Sequence, residues 1–204
     1  MRQLTVALSI LAVATFAGCA ADPAADKPDA TVAEAQPAAE PAAGGTTMAF
    51  NEASTIGWVG SKVTGSHEGG FHSFEGQVNL VDNDPAKSSV SVTIDVDSLW
   101  ADNDDLTGHL KSPDFFDAAT HPTATFESTS IVAGESGYIA TGNLNLHGVE
   151  KSISFPAEIT VVDGVVTIQA SFSVKRFDFD IEYTGPADNL IRDEVAITLD
   201  LQAG

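Results

Sequence analysis

The sequence predicts an all-β domain of antiparallel strands wrapped around one apolar interior. Two observations carry this. After Thr46, short segments alternate apolar and polar side chains, with breaks such as Asp84-Pro85, Gly134, Gly148 and Asp163-Gly164 between them. Each segment also has a single apolar face, the signature of antiparallel strands buried on one side.

Taken in order, alternating segments lie near 56–63, 74–81, 89–97, 123–132, 138–146, 152–161, 165–174, 176–183 and 195–201. The clearest is SVSVTIDVD, where Val90, Val92, Ile94 and Val96 share a face opposite Ser91, Thr93 and Asp95. RFDFDIEY does the same with Phe177, Phe179, Ile181 and Tyr183 against Asp178, Asp180 and Glu182. Eight or nine strands at hairpin spacing fit a sandwich or an up-and-down barrel. The inward residues are large: Trp58, Phe126, Phe155, Phe172, Phe177 and Phe179. An eight-stranded barrel leaves an interior that such side chains can fill, or line around one ligand.

Residues 101–122, ADNDDLTGHLKSPDFFDAATHP, break the alternation. Asp102 or Asn103 can cap a short helix with acids in its first turn. Leu106 and Leu110 then share a face, with His109 beside them and Phe115 and Phe116 following. This segment is expected to be a lid over one barrel end.

The N-terminus is organised differently. Residues 4–16 form a mostly apolar run of signal-peptide length, too short to span a bilayer comfortably. Small residues and Cys19, the sole cysteine, come next. The arrangement resembles a bacterial lipoprotein signal, which implies cleavage after residue 18 and lipidation of Cys19. Ala20 follows where an inner-membrane retention aspartate would stand, so the expected location is the cell envelope, on the periplasmic face of the outer membrane. Residues 19–47 are rich in Ala, Pro and acids and contain no aromatic residue. They are expected to be a disordered tether reaching roughly 80 Å when extended. Residues 48–204 are the folded domain. The chain carries 29 acidic and nine basic side chains, a formal charge of −20, which repels nucleic acid.

Catalytic and metal motifs are weak. His67-Glu68-Gly69-Gly70-Phe71-His72 has its second histidine one residue too late for a zinc-binding helical pair, and two glycines intervene. It reads as a Gly-rich hairpin, and no metal is expected. No nucleophile elbow, phosphate loop or dinucleotide fingerprint occurs. His147 ends an alternating run at His147-Gly148 and reads as a rim residue of the β-wall.

Three segments carry a resemblance to the YceI-like family of lipid- and polyisoprenoid-binding proteins. They are HLKSPDFFDAATHPTATFES at 109–128, LNLHGVEKSISF at 144–155, and Arg176 with Asp178 and Phe179. Ser152 stands where the family has proline, and Asp180 where it has glycine. The resemblance implies an eight-stranded antiparallel lipocalin-like β-barrel with a long isoprenoid or quinone-like lipid inside; it does not imply an enzyme, and no cofactor is expected. Ile94, Phe126, Leu146, Phe155, Phe172, Phe177, Phe179 and Leu199 then become the expected ligand wall, with Phe115 from the lid. His109, His147 and Arg176 become expected headgroup or rim positions. Two other functions fit the residues alone: an enzyme acting on such a lipid with His109 or His147 as base, and an interaction module with a self-packed interior. Nothing in the sequence addresses oligomeric state.

Overall fold

A computed structural model describes residues 21–37, 44–186 and 190–204. Cys19 and the signal segment lie outside these residues. The strands are β1 (Thr31–Glu34), β2 (Thr46–Ala49), β3 (Thr55–Lys62), β4 (Gly65–Phe71), β5 (Phe74–Val81), β6 (Asp84–Asp95), β7 (Leu99–Ala101), β8 (Thr123–Ala133), β9 (Tyr138–Leu146), β10 (Val149–Val162), β11 (Val165–Lys175) and β12 (Glu194–Ala203). One helix, α1 (Asp104–Leu110), follows β7.

The strand order is β2-β5-β6-β8-β9-β10-β11-β12-β3-β4-β7, with β1 paired to β10. Three of these strands are continued along the chain by another after a short kink: β2 by β3, β4 by β5 and β6 by β7. Counting each such pair once, eight antiparallel runs circle an interior and return to their start through the β12–β3 and β3–β4 ladders. The fold is therefore the all-β antiparallel curl that the alternation anticipates, and between the sandwich and the barrel that alternation allows it takes the lipocalin-like form that the family resemblance implies.

Local sequence explains the corners. Asp82-Asn83, His147-Gly148 and Asp163-Gly164 each join paired strands through two residues with positive φ. That is the turn whose twist matches neighbouring strands, and Asn, Asp and Gly tolerate it best. His147 is thus a turn residue at φ 53°. Asn103 caps α1, its side chain accepting a hydrogen bond from Leu106 N at 2.9 Å.

Two expectations need correction. Residues 176–183 are not a strand. Arg176–Phe179 form a 3₁₀ turn, and residues 181–185 run on without regular structure. Asp180 ends the turn at φ 57°, left-handed backbone at the position where the family has glycine. The turn rotates consecutive side chains about a helical axis, so the period-two face is lost. Phe177 therefore points outward, 39% exposed, under a cation–π contact with Arg176, while Phe179 is wholly buried.

The tether expectation fails as well, for residues 22–36. β1 lies antiparallel to β10 in the register Thr31↔Ser154 to Glu34↔Lys151. Ala30 N donates to Ser173 O at 2.8 Å, and Ser173 N donates to Pro28 O at 2.9 Å. The physical reason is a seam. β10 pairs with β11 only over 158–162, and Pro156, with no N–H, marks where the ladder stops. The unpaired edges beyond it take up the N-terminal segment as a strap. Composition predicted disorder because the strap buries little apolar surface. Its order comes from backbone pairing instead. Ser152, where the family has proline, pairs with Ala33 as well as with Asn143 of β9.

Candidate functional site

Inward-facing residues of β3, β6 and β8 to β12 surround a cavity of about 430 Å³, within the size range of small-molecule sites. The period-two alternation places them there. Val90, Val92 and Ile94 come from β6, Ala140, Leu144 and Leu146 from β8's neighbour β9, and Val195, Ile197, Leu199 and Leu201 from β12. Phe126, Phe155 and Phe172 form one aromatic wall. Phe155 and Phe172 are stacked at 4.2 Å between centroids, and Phe126 is 5.8 Å from Phe155. The first pair lies nearly parallel, at 11° between ring planes, and Phe126 is tilted at 51° to Phe155. Trp58 adds its indole opposite Gly69, where any Cβ would overlap the ring.

The cavity opens at the end where the β3–β4 turn, α1, residues 183–186 and residues 190–192 meet. Phe115 sits there with Tyr183 and His109, three rings mutually 5.0–5.1 Å apart. His109 Nε2 donates to Asp114 at 3.1 Å. Lys62, His67, Arg176 and Arg192 also line this end, and no Asp or Glu borders the cavity among the described residues. In a chain with 29 acids and nine bases, that is a strong local inversion of charge.

Arg176 is 6% exposed and donates to three backbone carbonyls, those of Arg192, Ile181 and Ile191. Burial pushes its guanidinium below the ordinary value, against the raising effect of the Asp193 carboxylate. The three carbonyls tie Ile181 to Ile191 and Arg192 at the opening. Arg176 therefore shapes the mouth and lends it positive charge.

Seven expected wall residues line the cavity: Ile94, Phe115, Phe126, Leu146, Phe155, Phe172 and Leu199. Phe177 and Phe179 do not, for the reason given above. Of the expected rim residues, His109 and Arg176 line the cavity and His147 does not. His147 Nδ1 donates to Phe179 O at 3.3 Å, and its ring packs 4.8 Å from that of His121. Sequence reasoning missed Lys62 and Arg192. Lys62 ends an alternating strand, which is a usable signal, whereas nothing local marks Arg192.

The zinc-like stretch is not a hairpin: residues 67–71 lie in strand β4 and His72 follows its end. His67 bonds Asp102 at 2.8 Å while His72 stacks on Trp100 at 5.6 Å, so the two histidines serve different neighbours. No group of three or more His, Cys, Asp or Glu with metal-binding geometry occurs among the described residues.

Known proteins share this architecture. The crystal structure of BcnA from Burkholderia cenocepacia is 28% identical, with a TM-score of 0.68, covering 74% of this chain and 97% of BcnA. A polyisoprenoid-binding domain from Saccharophagus degradans has a TM-score of 0.63 at 19% identity, covering 78% of this chain and 98% of that one. At that identity the likeness is one of fold. A UPF0312 protein of Pseudomonas aeruginosa (strain LESB58) is 36% identical over 91 residues, 45% of this chain and 48% of the relative. The chain thus spans about half the length of the curated relatives it matches. With the YceI-like domain model matching residues 49–203, the fold, the cavity and the sequence converge, and the chain belongs to the YceI-like family.

Proposed function

We propose that this protein is an exported binding or carrier protein for one long-chain amphiphile of the polyisoprenoid or quinone type, held to the cell envelope by a lipidated Cys19. The observation that carries the reading is the cavity itself: about 430 Å³, apolar along its length, with its cationic and histidine side chains gathered at one end. An isoprenoid chain presents only apolar atoms to such a wall. Each buried methylene-sized group contributes roughly 0.8 kcal/mol, so several units bind firmly without hydrogen bonds. The polar headgroup then rests at the mouth, near His109, Arg176 and Lys62. The polyisoprenoid-binding domain from Saccharophagus degradans, which shares the fold, supports the ligand class.

The test is organic extraction of the purified protein followed by mass spectrometry. A stoichiometric long-chain lipid is expected from the native protein. Leu146→Trp, which directs bulk into the lumen, should lose that lipid while its unfolding free energy changes by less than about 1 kcal/mol, because the space is already empty. If the native protein yields no lipid and Leu146→Trp unfolds it, the barrel is self-packed and the carrier reading fails.

A further inference from the structure

We infer that the anchored barrel stands with its open end against the bilayer and takes its ligand directly from the lipid surface. This rests on the proposed lipidation of Cys19. An unstructured leash of residues 19–47 would let the barrel tumble tens of ångströms from the membrane. The docked strap removes that freedom. Asp22 pairs with Arg192 at 3.4 Å, Ala24 is buried, and residues 28–34 are hydrogen-bonded to β11 and β10. Only three residue steps separate Asp22 from Cys19, a reach of roughly 10 Å. Arg192 lines the cavity at its open end. The acyl chains must therefore enter the membrane close to the mouth. The opposite end of the barrel, a strand length of roughly 30 Å away, is out of reach.

The same corner is built for an interface. Val63 and Leu190 are joined by a hydrogen bond from Val63 N to Leu190 O at 3.2 Å, and they are 37% and 51% exposed. Lys62 stands next to this apolar pair, while Arg192 is held by Asp22 at 3.4 Å and by Ser61 Oγ at 3.1 Å. Exposed apolar side chains beside a lysine whose stem can lie along the surface suit the headgroup region of a bilayer. The closed end also exposes Val132 and Val162, and acids stand on the turns of both ends, Asp82, Asp84, Glu135 and Asp163 there and Asp102, Asp104, Asp105, Asp114 and Asp117 around the mouth, so it is the strap that selects the end facing the bilayer.

The experiment uses the full acylated chain in phosphatidylethanolamine–phosphatidylglycerol vesicles doped with a spin-labelled lipid. With Cys19 acylated, a single added cysteine is the only labelling site. A fluorophore at Thr64→Cys, on the mouth turn, should be quenched several-fold more than one at Ser136→Cys, on a closed-end turn. Equal quenching, or more at 136, in protein whose Cys19 acyl mass is verified overturns the inference. Absence of the acyl mass overturns the anchor and the inference together, while lipid in the cavity is read separately by extraction. A spacer of about twenty Gly and Ser residues inserted after Ala20 should abolish the contrast. A contrast that survives the spacer overturns the role given to the strap.

Discussion

The two ends of the barrel are built from the same alternating pattern and reach opposite results. At the closed end Val78, Val166 and Ala203 are 2%, 1% and 0% exposed, and the remaining void is about 10 Å³, barely room for one water. At the open end the same alternation surrounds about 430 Å³. The difference lies in strand pairing. β10 and β11 are laddered at the closed end and part beyond Pro156, so side chains from facing walls no longer meet. Alternation decides which face a residue occupies. The divergence of neighbouring strands decides whether that face is filled or empty.

The largest effect should come from cutting equal volumes out of each end. Leu80→Ala, in the packed end, should destabilise by about 3 kcal/mol, since the cavity it leaves cannot collapse. Leu144→Ala, on the wall of the existing cavity, should cost less than about 1 kcal/mol. Denaturant titration of both variants decides this, and equal losses would break the contrast between filled and open ends.

A smaller effect is expected at the seam. Asn143 holds the end of the strap twice, accepting from Gln36 N at 3.0 Å and donating to Gln36 O at 2.6 Å. Asn143→Ala should cost about 1 kcal/mol and selectively lower hydrogen-exchange protection in residues 31–36. Loss of protection spread equally through β11 and β12 would mean that the strap and the barrel open as one unit.

The smallest effect is a pH response of the strap. The Lys151 ammonium hydrogen-bonds Glu34 and holds its carboxyl below the ordinary value of 4.5. A carboxylate whose value is lowered on docking favours the docked state above its free value and loses that contribution as pH falls through the docked one. Exchange protection of β1 should therefore be steady near neutrality and fall in acid below about pH 4.5, earlier than protection in β12. Glu34→Gln should flatten the profile. A profile that is the same with glutamine would assign the acid response to other groups.

Much of the architecture was legible in the residues. Alternation placed β6, β8, β9, β10, β11 and β12, and Asx-Gly and His-Gly pairs marked hairpins whose positive φ angles the structure contains. Asn103 was readable as a cap, and six wall residues followed from period two, with Phe115 added from the segment that breaks it. These features are local: a strand face, a turn and a cap are set by neighbours a few positions away. The tertiary structure decided the rest. Phe177 and Phe179 fit a strand pattern but sit on a 3₁₀ turn, because Arg176 folds the chain back to reach the carbonyls of Ile181, Ile191 and Arg192. The strap has a disordered composition yet is ordered, because the partners of its backbone groups lie more than a hundred residues away on β10 and β11. Lys62 and Arg192 meet at the mouth only because β3 and residues 190–192 run side by side. The sequence by itself determines which side chains face inward. Whether they touch one another or leave a lumen depends on distances between strands, and those are set by long-range hydrogen bonds that no local pattern encodes.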